Sequence, residues 1–313
     1  MTLEVLSPGL ASTFQDLGRH GYQHWGVPVG GPMDEVSHRL ANVLLGNAPD
    51  APVLEITLLG PTLYCHGRCR LALTGADLGA TLGGSRWLPG QTRTLVPGDY
   101  LGFGRRRSGA RAYLAVAGGF RLERVLGSRS TNLRAGFGGW QGRRLQKGDL
   151  LPLAGSFANP PRLVLPDGLV TTDSVTPLRL LPGRDWSAFS PAAQAAMRED
   201  RFTLTPQADR MGYRLQGPTL ALAAPRECLS EAVAFGTVQV PPDGQPIVLM
   251  ADHQTTGGYP CIAQVAQVDL PRLAQCVPGD HLSFTFLDLA EAQRLDIARE
   301  RVLTALEGST RSA

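Results

Sequence analysis

The most informative stretch of the sequence is Ala251-Asp252-His253-Gln254-Thr255-Thr256-Gly257-Gly258-Tyr259-Pro260. An apolar run at 247–251 leads into it and predicts a buried strand. The polar residues that follow supply a carboxylate, an amide and two hydroxyls, and the Gly-Gly pair lets backbone N–H groups face a ligand. A polar loop at the mouth of a buried strand is typical of a binding site for a small polar molecule. The alternative interpretation is a turn whose polar groups are satisfied within the chain.

The composition predicts a chain with many turns. Glycine and proline account for 37 and 24 of the 313 residues, which indicates numerous short strands in two domains or one large one. The formal net charge of +3 is small, and no basic face of the kind used by nucleic-acid-binding proteins is evident. Arg105-Arg106-Arg107 is the one dense basic run, and we interpret it as a solvated turn rather than a phosphate site.

Lysine and cysteine usage excludes several kinds of chemistry. Lys147 is the only lysine, so there is no Gly-rich phosphate loop of the usual type, no suitable amine for Schiff-base catalysis and no biotin-carrier motif. The five cysteines form an odd set without zinc-site spacing or a secretory signal. We therefore predict a cytoplasmic protein with no disulfide, no bound metal and no transmembrane helix.

The first part of the chain reads as one helix followed by short strands. Asp34 is a good N-cap for a helix that ends at Gly46, and His38 and Arg39 are predicted to face solvent. Turns such as Pro97-Gly98-Asp99 punctuate short strands from residue 53 to residue 149. Their spacing favours a barrel or a sandwich over alternating strands and helices.

Two more helices are predicted in the second part. Ser190 is the N-cap of a short helix with Pro191 in its first turn. Asp288 begins a C-terminal helix that ends near Gly308, and its predicted apolar face consists of Leu295, Ala298, Val302 and Leu306. Residues 156–177 are rich in proline and turn residues and are predicted to be a linker.

Two loops of the first part carry further candidate residues. Asp16, Arg19 and His20 form a possible polar cluster, although Asp16 and Arg19 can equally pair to hold a turn. The loop from residue 126 to residue 139 is rich in glycine and serine, and Arg129 is its candidate anion-binding residue. The alternative is an ordered surface loop.

Three segments of the first half recur in the same order in the second half. The pairs are 58–63 with 215–220, 71–84 with 247–258, and 96–101 with 277–282. Such an internal repeat predicts two related β-barrels in one chain. It also makes Asp77 the counterpart of Asp252.

Motifs spread over nearly the whole chain, from about residue 3 to residue 286, match one protein family. They are Gln15-Asp16-Leu17-Gly18-Arg19, Gly26-Val27-Pro28, Met33-Asp34, Glu55-Ile56-Thr57, Thr74-Gly75-Ala76-Asp77, Ala115-Val116-Ala117-Gly118-Gly119, Leu126-Gly127-Ser128-Arg129-Ser130-Thr131, Asp209-Arg210-Met211-Gly212, Ser230-Glu231, Gly236, Gln239-Val240-Pro241 and the stretch from Asp252 to Pro260. With them the chain resembles the KipA type, which is the C subunit of 5-oxoprolinase, also called allophanate hydrolase subunit 2 or the biotin-dependent carboxyltransferase-like family. His253 stands where arginine is expected, which puts a cationic role at that position in doubt.

The resemblance implies a mainly β fold of two cyclophilin-like β-barrel lobes with a few short helices and a C-terminal helix. We place the lobes at residues 1–155 and 178–313, on either side of the linker. The resemblance also implies two partner proteins, a B subunit of the KipI type and an A subunit of the LamB/YcsF type. Together such subunits open 5-oxo-L-proline to L-glutamate and consume ATP, whose site is not assigned to this chain.

Two other functions remain open on the sequence. One is a carboxyltransferase for a urea-like amide that works with a separate biotin carrier. The other is a non-enzymatic regulator that binds a KipI-type kinase inhibitor.

Asp252 is predicted to be catalytic, because it follows a buried strand and opens the polar loop. No metal ligands are assigned. The residues predicted to bind substrate are Asp16, Arg19, Arg129, Arg210, Gln239, Gln254, Thr255, Thr256, Gly257, Gly258 and Tyr259.

Overall fold

A computed structural model of the chain describes residues 1–155, 165 and 177–311. For residues 310 and 311 it describes the backbone alone. The predicted linker, 156–177, lies outside the described residues except for residues 165 and 177. By their contacts, Met1–Arg19, Gly30–Thr172 and Arg301–Ala313 form a first unit, and His20–Val29 with Asp173–Glu300 forms a second. The domain boundaries predicted from the sequence stay a prediction.

In its described residues, the first unit consists of two antiparallel sheets, a helix near its start and the C-terminal half of the last helix of the chain. Its strands and helix are β1 (Thr2–Ser7), β2 (Ala11–Gln15), α1 (Glu35–Val43), β3 (Val53–Thr57), β4 (Thr62–Cys65), β5 (Cys69–Asp77), β6 (Thr81–Leu82), β7 (Ser85–Arg86), β8 (Gln91–Leu95), β9 (Tyr100–Gly102), β10 (Ser108–Val116) and β11 (Leu150–Pro152). The strand orders are β11-β1-β4-β9-β6-β7 and β2-β3-β10-β5-β8. The run of short strands predicted from residue 53 to residue 149 is confirmed as far as Val116, but residues 117–149 form turns and isolated bridges instead of strands.

The side chains of β5 show why these strands are almost wholly buried. Leu71 and Leu73 face the core that the two sheets share, whereas Ala72 between them packs with Ala41 and Leu44, in and just after α1. Because successive residues of a strand point to opposite faces, a strand that is covered on both sides reads as a continuous apolar run. The core therefore lies between the sheets, and α1 covers the outer face of the second sheet.

The predicted start of α1 is confirmed, but the predicted exposure of His38 and Arg39 is wrong. Asp34 caps the helix by accepting a hydrogen bond from the Ser37 N–H at 2.8 Å. His38 is fully buried and Arg39 is 8% exposed. The reason is tertiary, because the helix packs on the sheet on one side and against Leu303 on another.

A buried polar network fixes the N-terminus of α1. The carboxylate of Glu55 accepts hydrogen bonds from the Met33 N–H and the Tyr113 hydroxyl, both at 2.8 Å. The Tyr113 oxygen in turn accepts one from the Asp34 N–H at 2.8 Å. Burial, and then the charge of Glu55, raises the pKa of Tyr113, so the phenol keeps the proton that it donates. The family motifs at these positions therefore serve the fold.

The second unit is built around one eight-stranded sheet. Its elements are β12 (Leu178–Pro182), α2 (Pro191–Glu199), β13 (Phe202–Ala208), β14 (Gly212–Gln216), β15 (Glu231–Ala232), β16 (Thr237–Gln239), β17 (Ile247–Leu249), β18 (Thr256–Gly257), β19 (Cys261–Val265), α3 (Leu270–Ala274), β20 (His281–Leu282), β21 (Phe284–Phe286) and the first half of α4 (Leu289–Arg311), whose residues from Arg301 onward belong to the first unit. The order is β20-β13-β14-β17-β16-β19-β12-β21, and β15 pairs separately with β18.

The eight-stranded sheet is a nearly closed barrel. Its two outermost strands, β20 and β21, are separated in the chain by Ser283 alone, which brings the two edges of the sheet together. The predicted mainly β fold with a few short helices and a C-terminal helix is confirmed. The likeness to cyclophilin itself stays a prediction.

The two helices of the second part begin where the sequence predicts, but the buried face of the C-terminal helix is not the predicted one. Ser190 caps α2, whose first residue is Pro191, as predicted. In α4 the buried residue is Leu303, at 1% exposure, whereas Val302 of the predicted apolar face is 45% exposed. The helix also passes Gly308 and extends to Arg311. Contact of Leu303 with Val36 and Leu40 decides which face is buried, and that contact is not visible in the local pattern.

The third pair of repeated segments forms the same turn twice. The carboxylates of Asp99 and Asp280 accept hydrogen bonds from the N–H groups three residues earlier, at 2.8 and 2.9 Å. The preceding glycines, Gly98 and Gly279, have φ angles of 98° and 95°, which a residue with a side chain rarely adopts. The common Pro-Gly-Asp sequence thus produces the same local geometry in both units.

His38 makes the stability of the protein depend on pH. Its Nε2 lies 3.2 Å from the carbonyl oxygen of Gln15, so this nitrogen carries the proton of a neutral ring. Burial lowers the pKa of His38 to about 4, against the opposing effects of the Gln15 carbonyl, Asp16 and Glu55. The unfolded chain takes up this proton near the ordinary pKa of about 6.5, and the folded chain does so only near 4.

We therefore expect the contribution of His38 to be complete above pH 6.5 and to be lost as the pH falls towards 4. The loss amounts to about 3 kcal/mol of unfolding free energy over the whole window. Urea unfolding at pH 7 and at pH 5 measures it, with His38→Gln as the comparison that keeps an N–H donor. An equal loss of stability in the variant would contradict the prediction.

Candidate functional site

The polar loop that follows β17 is held in place through its backbone. The Asp252 N–H donates to the carbonyl of Arg210 at 2.7 Å, and the Val233 N–H donates to the carbonyl of Thr255 at 3.2 Å. Thr256 and Gly257 form β18 and pair with β15, and the Val240 N–H donates to the carbonyl of Pro260 at 3.0 Å. Because these bonds use backbone atoms alone, they do not occupy the side chains of the loop.

Asp252 and Arg210 form a two-bond ion pair. Arg210 Nε and Nη2 donate to the two carboxylate oxygens of Asp252, both at 2.8 Å. The Arg210 side chain is 12% exposed and the Asp252 side chain 13%. A fork of this kind is among the stronger ion pairs in proteins, and it joins the Asp209-Arg210-Met211-Gly212 motif to the polar loop. Each oxygen of Asp252 accepts one bond from Arg210 and keeps a second lone pair, so the carboxylate can still accept a hydrogen bond from a ligand.

His253 is a neutral residue in this loop. Its ring is buried, at 9% exposure for the residue, and Nδ1 is hydrogen-bonded to the carbonyl of Gln254. Burial lowers the pKa of His253, and the Gln254 carbonyl and the charge of Asp252 oppose that effect. The position where the family resemblance implies arginine is therefore uncharged near neutral pH.

Three predicted substrate-binding residues of the second unit are brought together. Gln239 is 2% exposed, and its Nε2 donates to the carbonyl of Tyr259 at 3.3 Å. A Cβ atom on Gly257 would lie 2.5 Å from that same Nε2, so glycine is required for the loop to rest on the Gln239 amide. On Gly258 a Cβ atom would lie 3.2 Å from Ser230 Oγ.

The remaining side chains of the loop are available to a ligand. Gln254 and Thr255 are half-buried, Thr256 is exposed, and Tyr259 is 45% exposed. The side chains of the first three make no hydrogen bond to any other residue in the described part of the chain. An amide and two hydroxyls on a fixed backbone can bind a small polar molecule.

Asp185 is a residue of this region that the sequence patterns did not reveal. It is 5% exposed and accepts from the Cys261 N–H at 2.9 Å and from Arg226 at 3.0 Å. Its neighbour Arg184 pairs with Glu231 of β15. Asp185 thus fixes the chain just after Pro260, and the only sequence signal was the turn residue Gly183, whose Cβ would lie 2.2 Å from the Cys261 carbonyl oxygen.

Cys261 is a structural thiol in this setting. Burial raises its pKa, against the opposing effects of Arg184 and Gln239. Because the thiolate is the nucleophilic form, a raised pKa argues against a covalent role.

Asp16 organises a second group of predicted residues, in the first unit. Its carboxylate accepts hydrogen bonds from the Ser128 and Ser130 hydroxyls and from the Arg129 and Gly18 N–H groups. The residue is 5% exposed. A motif at residue 16 and a loop 112 positions away are thereby joined, and the two serines, although part of a family motif, had not been predicted as site residues.

Arg19 is buried beneath the glycine-rich part of the same loop. It is 1% exposed, it donates to the carbonyl of Ser130, and its guanidinium lies 4.8 Å from the centre of the Phe137 ring. A Cβ on Gly138 would lie 2.9 Å from Arg19 Nη2 and 2.2 Å from the Ser130 carbonyl oxygen. His20, next in the sequence, is exposed.

Of the two arginines of the first unit that were predicted to bind substrate, Arg129 is the more accessible. Its Nε donates to the carbonyl of Leu122 at 3.1 Å, and the residue is half-buried. Its two terminal nitrogens have no hydrogen-bond partner among the residues that the structure describes. They are suited to an anionic group.

The described residues, 1–155, 165 and 177–311, contain neither a metal site nor a membrane-spanning helix. No group of three or more His, Cys, Asp or Glu side chains there is arranged to hold a metal ion. Nor is any helix in that part of the chain both long and apolar enough to cross a membrane.

Comparison with known proteins gives close relatives over nearly the whole chain. The protein is 41% identical over 293 residues to the C subunit of 5-oxoprolinase from Haemophilus influenzae, covering 94% of each chain. It is 40% identical to the C subunit of 5-oxoprolinase from Escherichia coli, covering 97% of each. The urea amidolyase of Lachancea kluyveri is 31% identical across 97% of this chain, which spans 18% of that protein.

Solved structures and a family model agree with these matches. The urea carboxylase of Kluyveromyces lactis superimposes with a TM-score of 0.92 at 31% identity, over 97% of this chain and 29% of that one. TTHA0988 superimposes with a TM-score of 0.82 at 39% identity, over 91% of this chain and 55% of that one. Residues 25–286 match the family model described as carboxyltransferase domain, subdomain A and B. With that match and these relatives, the chain belongs to the carboxyltransferase domain family, subdomains A and B.

Proposed function

We propose that the chain is the C subunit of an ATP-dependent 5-oxoprolinase complex that opens 5-oxo-L-proline to L-glutamate. The observation that carries the proposal is the mutual coverage of 94% and 97% with two proteins that bear this subunit name. The urea amidolyase match, in contrast, spans 18% of that protein. One subunit implies others, and we propose the B subunit of the KipI type together with the A subunit of the LamB/YcsF type in that role, in the cytoplasm.

The proposed reaction consumes ATP for a chemical reason. A lactam carbonyl is a poor electrophile, and phosphorylation of its oxygen would make hydrolysis of the ring feasible. The sequence lacks the lysine-containing phosphate loop. We therefore propose that ATP is used by the assembled complex, with its site not assigned to this chain.

The polar loop is proposed to contact the lactam. Gln254, Thr255 and Thr256 would supply hydrogen bonds to its N–H and carbonyl groups, and Tyr259 a partly exposed ring. Gln239, Gly257 and Gly258 would hold the loop in its shape. Asp252 is proposed as the carboxylate on which turnover depends.

Three arginines were predicted to bind substrate, and they differ in how far their guanidinium groups are already engaged. Arg210 is engaged with Asp252, and Arg19 is 1% exposed. Arg129 is half-buried, and its terminal nitrogens make no hydrogen bond to other described residues. Within the first unit we therefore propose Arg129, rather than Arg19, as the residue that binds an anionic group, and Asp16 positions it by accepting a hydrogen bond from the Arg129 N–H.

A second candidate function is carboxyl transfer to a urea-like amide from a separate biotin carrier. The TM-score of 0.92 with a urea carboxylase favours it. The two functions differ in what they consume, because one needs 5-oxoproline and ATP and the other needs urea and a carboxylated biotin carrier. Supplying each set to the same preparation separates them.

We expect the purified chain alone to form no glutamate from 5-oxoproline and ATP. Adding the KipI-type and LamB/YcsF-type subunits should restore turnover, because the chain lacks the familiar phosphate loop. Glutamate is measured in each mixture, with the two partners without this chain as the control. Sustained turnover by the chain alone would contradict the proposal.

A further inference from the structure

One end of the second sheet of the first unit carries an exposed surface that neither group of site residues uses. The register places the ends of four strands there, because Ala11 pairs with Thr57, Thr57 with Arg111, and Ser108 with Asp77. We call it the sheet-end surface, and it consists of Leu10, Leu59, Arg86, Arg105, Arg106 and Arg107.

The arginine loop of this surface is fixed rather than loose. The Gly104 N–H donates to the carbonyls of Leu78 and Gly79, at 3.2 and 3.0 Å, and the Arg107 N–H donates to the carbonyl of Asp77 at 2.8 Å. A Cβ on Gly79 would lie 2.7 Å from the Arg105 carbonyl oxygen, so the two segments are in close backbone contact. The backbone that carries the three guanidinium groups is therefore held in place.

The surface carries a large share of positive charge. Arg86 donates to Asp77 at 2.7 Å, whereas Arg105, Arg106 and Arg107 form no ion pair with any described residue. Four arginines and one carboxylate leave three uncompensated charges, as many as the formal net charge of +3 of the entire chain. No Asp or Glu occurs in residues 78–98 or 100–122. Like charges gathered in this way repel each other unless an anionic partner compensates them.

The leucines beside the arginines are exposed by a strained turn. Leu10 and Leu59 are 55% and 51% exposed, and the Leu10 N–H donates to the Leu59 carbonyl at 2.9 Å. Leu58 has a φ of 60°, an unusual conformation for a bulky residue. A Cβ on Gly60 would lie 2.3 Å from the Phe103 side chain, which ties this turn to the chain that leads into the arginine loop. Strain of this kind persists where the surroundings or a function require it.

We propose that the sheet-end surface docks a partner subunit of the complex through an acidic surface with apolar residues at its centre. The charge of the three arginines selects an acidic partner, and the two leucines favour a protein over a phosphate group, which would leave them uncovered. The inference rests on the proposed function, because it takes the chain to be one of several subunits.

The test measures the affinity of the chain for each immobilised partner, the KipI-type subunit in one experiment and the LamB/YcsF-type subunit in another. Arg105→Glu with Arg107→Glu is the main variant, because neither side chain bonds to a described residue. Leu59→Ser tests the apolar part. The matched controls are Arg93→Glu with Arg201→Glu, an equal change at exposed positions, and Leu150→Ser, whose leucine is also 51% exposed.

At least one partner is expected to bind the double arginine variant about tenfold or more weakly at low salt, and less so at about 0.3 M salt, where screening is strong. The control pair should bind within about twofold of the wild type. The melting temperature of the double variant should not fall, because the change removes repulsion.

Unchanged binding of the double variant, equal weakening by the controls, or no binding of the wild type to either partner would overturn the inference. So would loss of ATP binding in the double variant with binding of both partners intact, since the surface would then be a nucleotide site. Binding of either partner by the wild type without glutamate formation would refute the proposed reaction and leave the docking surface standing.

Discussion

Asp16→Ala is expected to lower the free energy of unfolding by on the order of 4 kcal/mol. The carboxylate accepts four hydrogen bonds, two from hydroxyls and two from backbone N–H groups, at a residue that is 5% exposed. Alanine leaves these donors buried without their acceptor, and each unsatisfied buried group costs about 1–3 kcal/mol. Relaxation of the loop from residue 126 to residue 131 recovers part of that sum. Urea unfolding at neutral pH gives the difference.

Asp209→Ala is the matched control for that experiment. Asp209 is also a carboxylate that accepts from two backbone N–H groups, those of Met211 and Gly212, but it is exposed. Water replaces its hydrogen bonds, so the expected loss is about 1 kcal/mol or less. Equal losses in the two variants would show that the Asp16 network contributes no more than a surface turn.

Asp252→Asn is expected to leave the chain folded and to reduce turnover of the reconstituted complex at least about tenfold, or 1.4 kcal/mol in the activation barrier. Asparagine has the same shape and keeps one acceptor oxygen for Arg210, but it lacks the charge. Thermal melting and glutamate formation are measured on the same preparation, after gel filtration has checked that the complex assembles. Asp243→Asn, at an exposed turn carboxylate, is the control and should retain full activity.

The ion pair with Arg210 allows the two possible roles of Asp252 to be separated. If the carboxylate acts on the substrate, exchanging the partners as Arg210→Asp with Asp252→Arg restores the ion pair but not the activity. If Asp252 serves only to anchor the loop, the exchanged pair recovers both. We expect no recovery of activity, and full recovery would make Asp252 a structural residue.

Local signals in the sequence were sufficient for the elements of the fold. The Asp34 cap, the Ser190-Pro191 start of α2 and the Pro-Gly-Asp turns depend on contacts within a few residues, and the structure has them where they were predicted. The same holds for the buried strand before Asp252 and for the run of short strands from residue 53 to residue 116. Gln239, Gly257 and Tyr259, which were selected from motifs, lie in one cluster, and their role in binding substrate stays a prediction.

Contacts between residues far apart in the chain decided which side chains are buried and which residues they bond to. His38 and Arg39 were predicted to face solvent because they lie between the apolar positions of the helix, yet α1 is covered both by the sheet and by Leu303 of α4. Asp185 was not predicted as a site residue, because two of its partners, Cys261 and Arg226, lie 76 and 41 positions away.

The sequence by itself determined the element types, the mainly β class and the family, since each follows from short-range patterns and motifs. Only the tertiary structure decided that Asp252 is held by Arg210 and that Asp16 is saturated by the loop of Ser128 and Ser130. The physical reason is that a carboxylate takes whichever donors the packing of strands brings to it, and that packing is not encoded within any one segment.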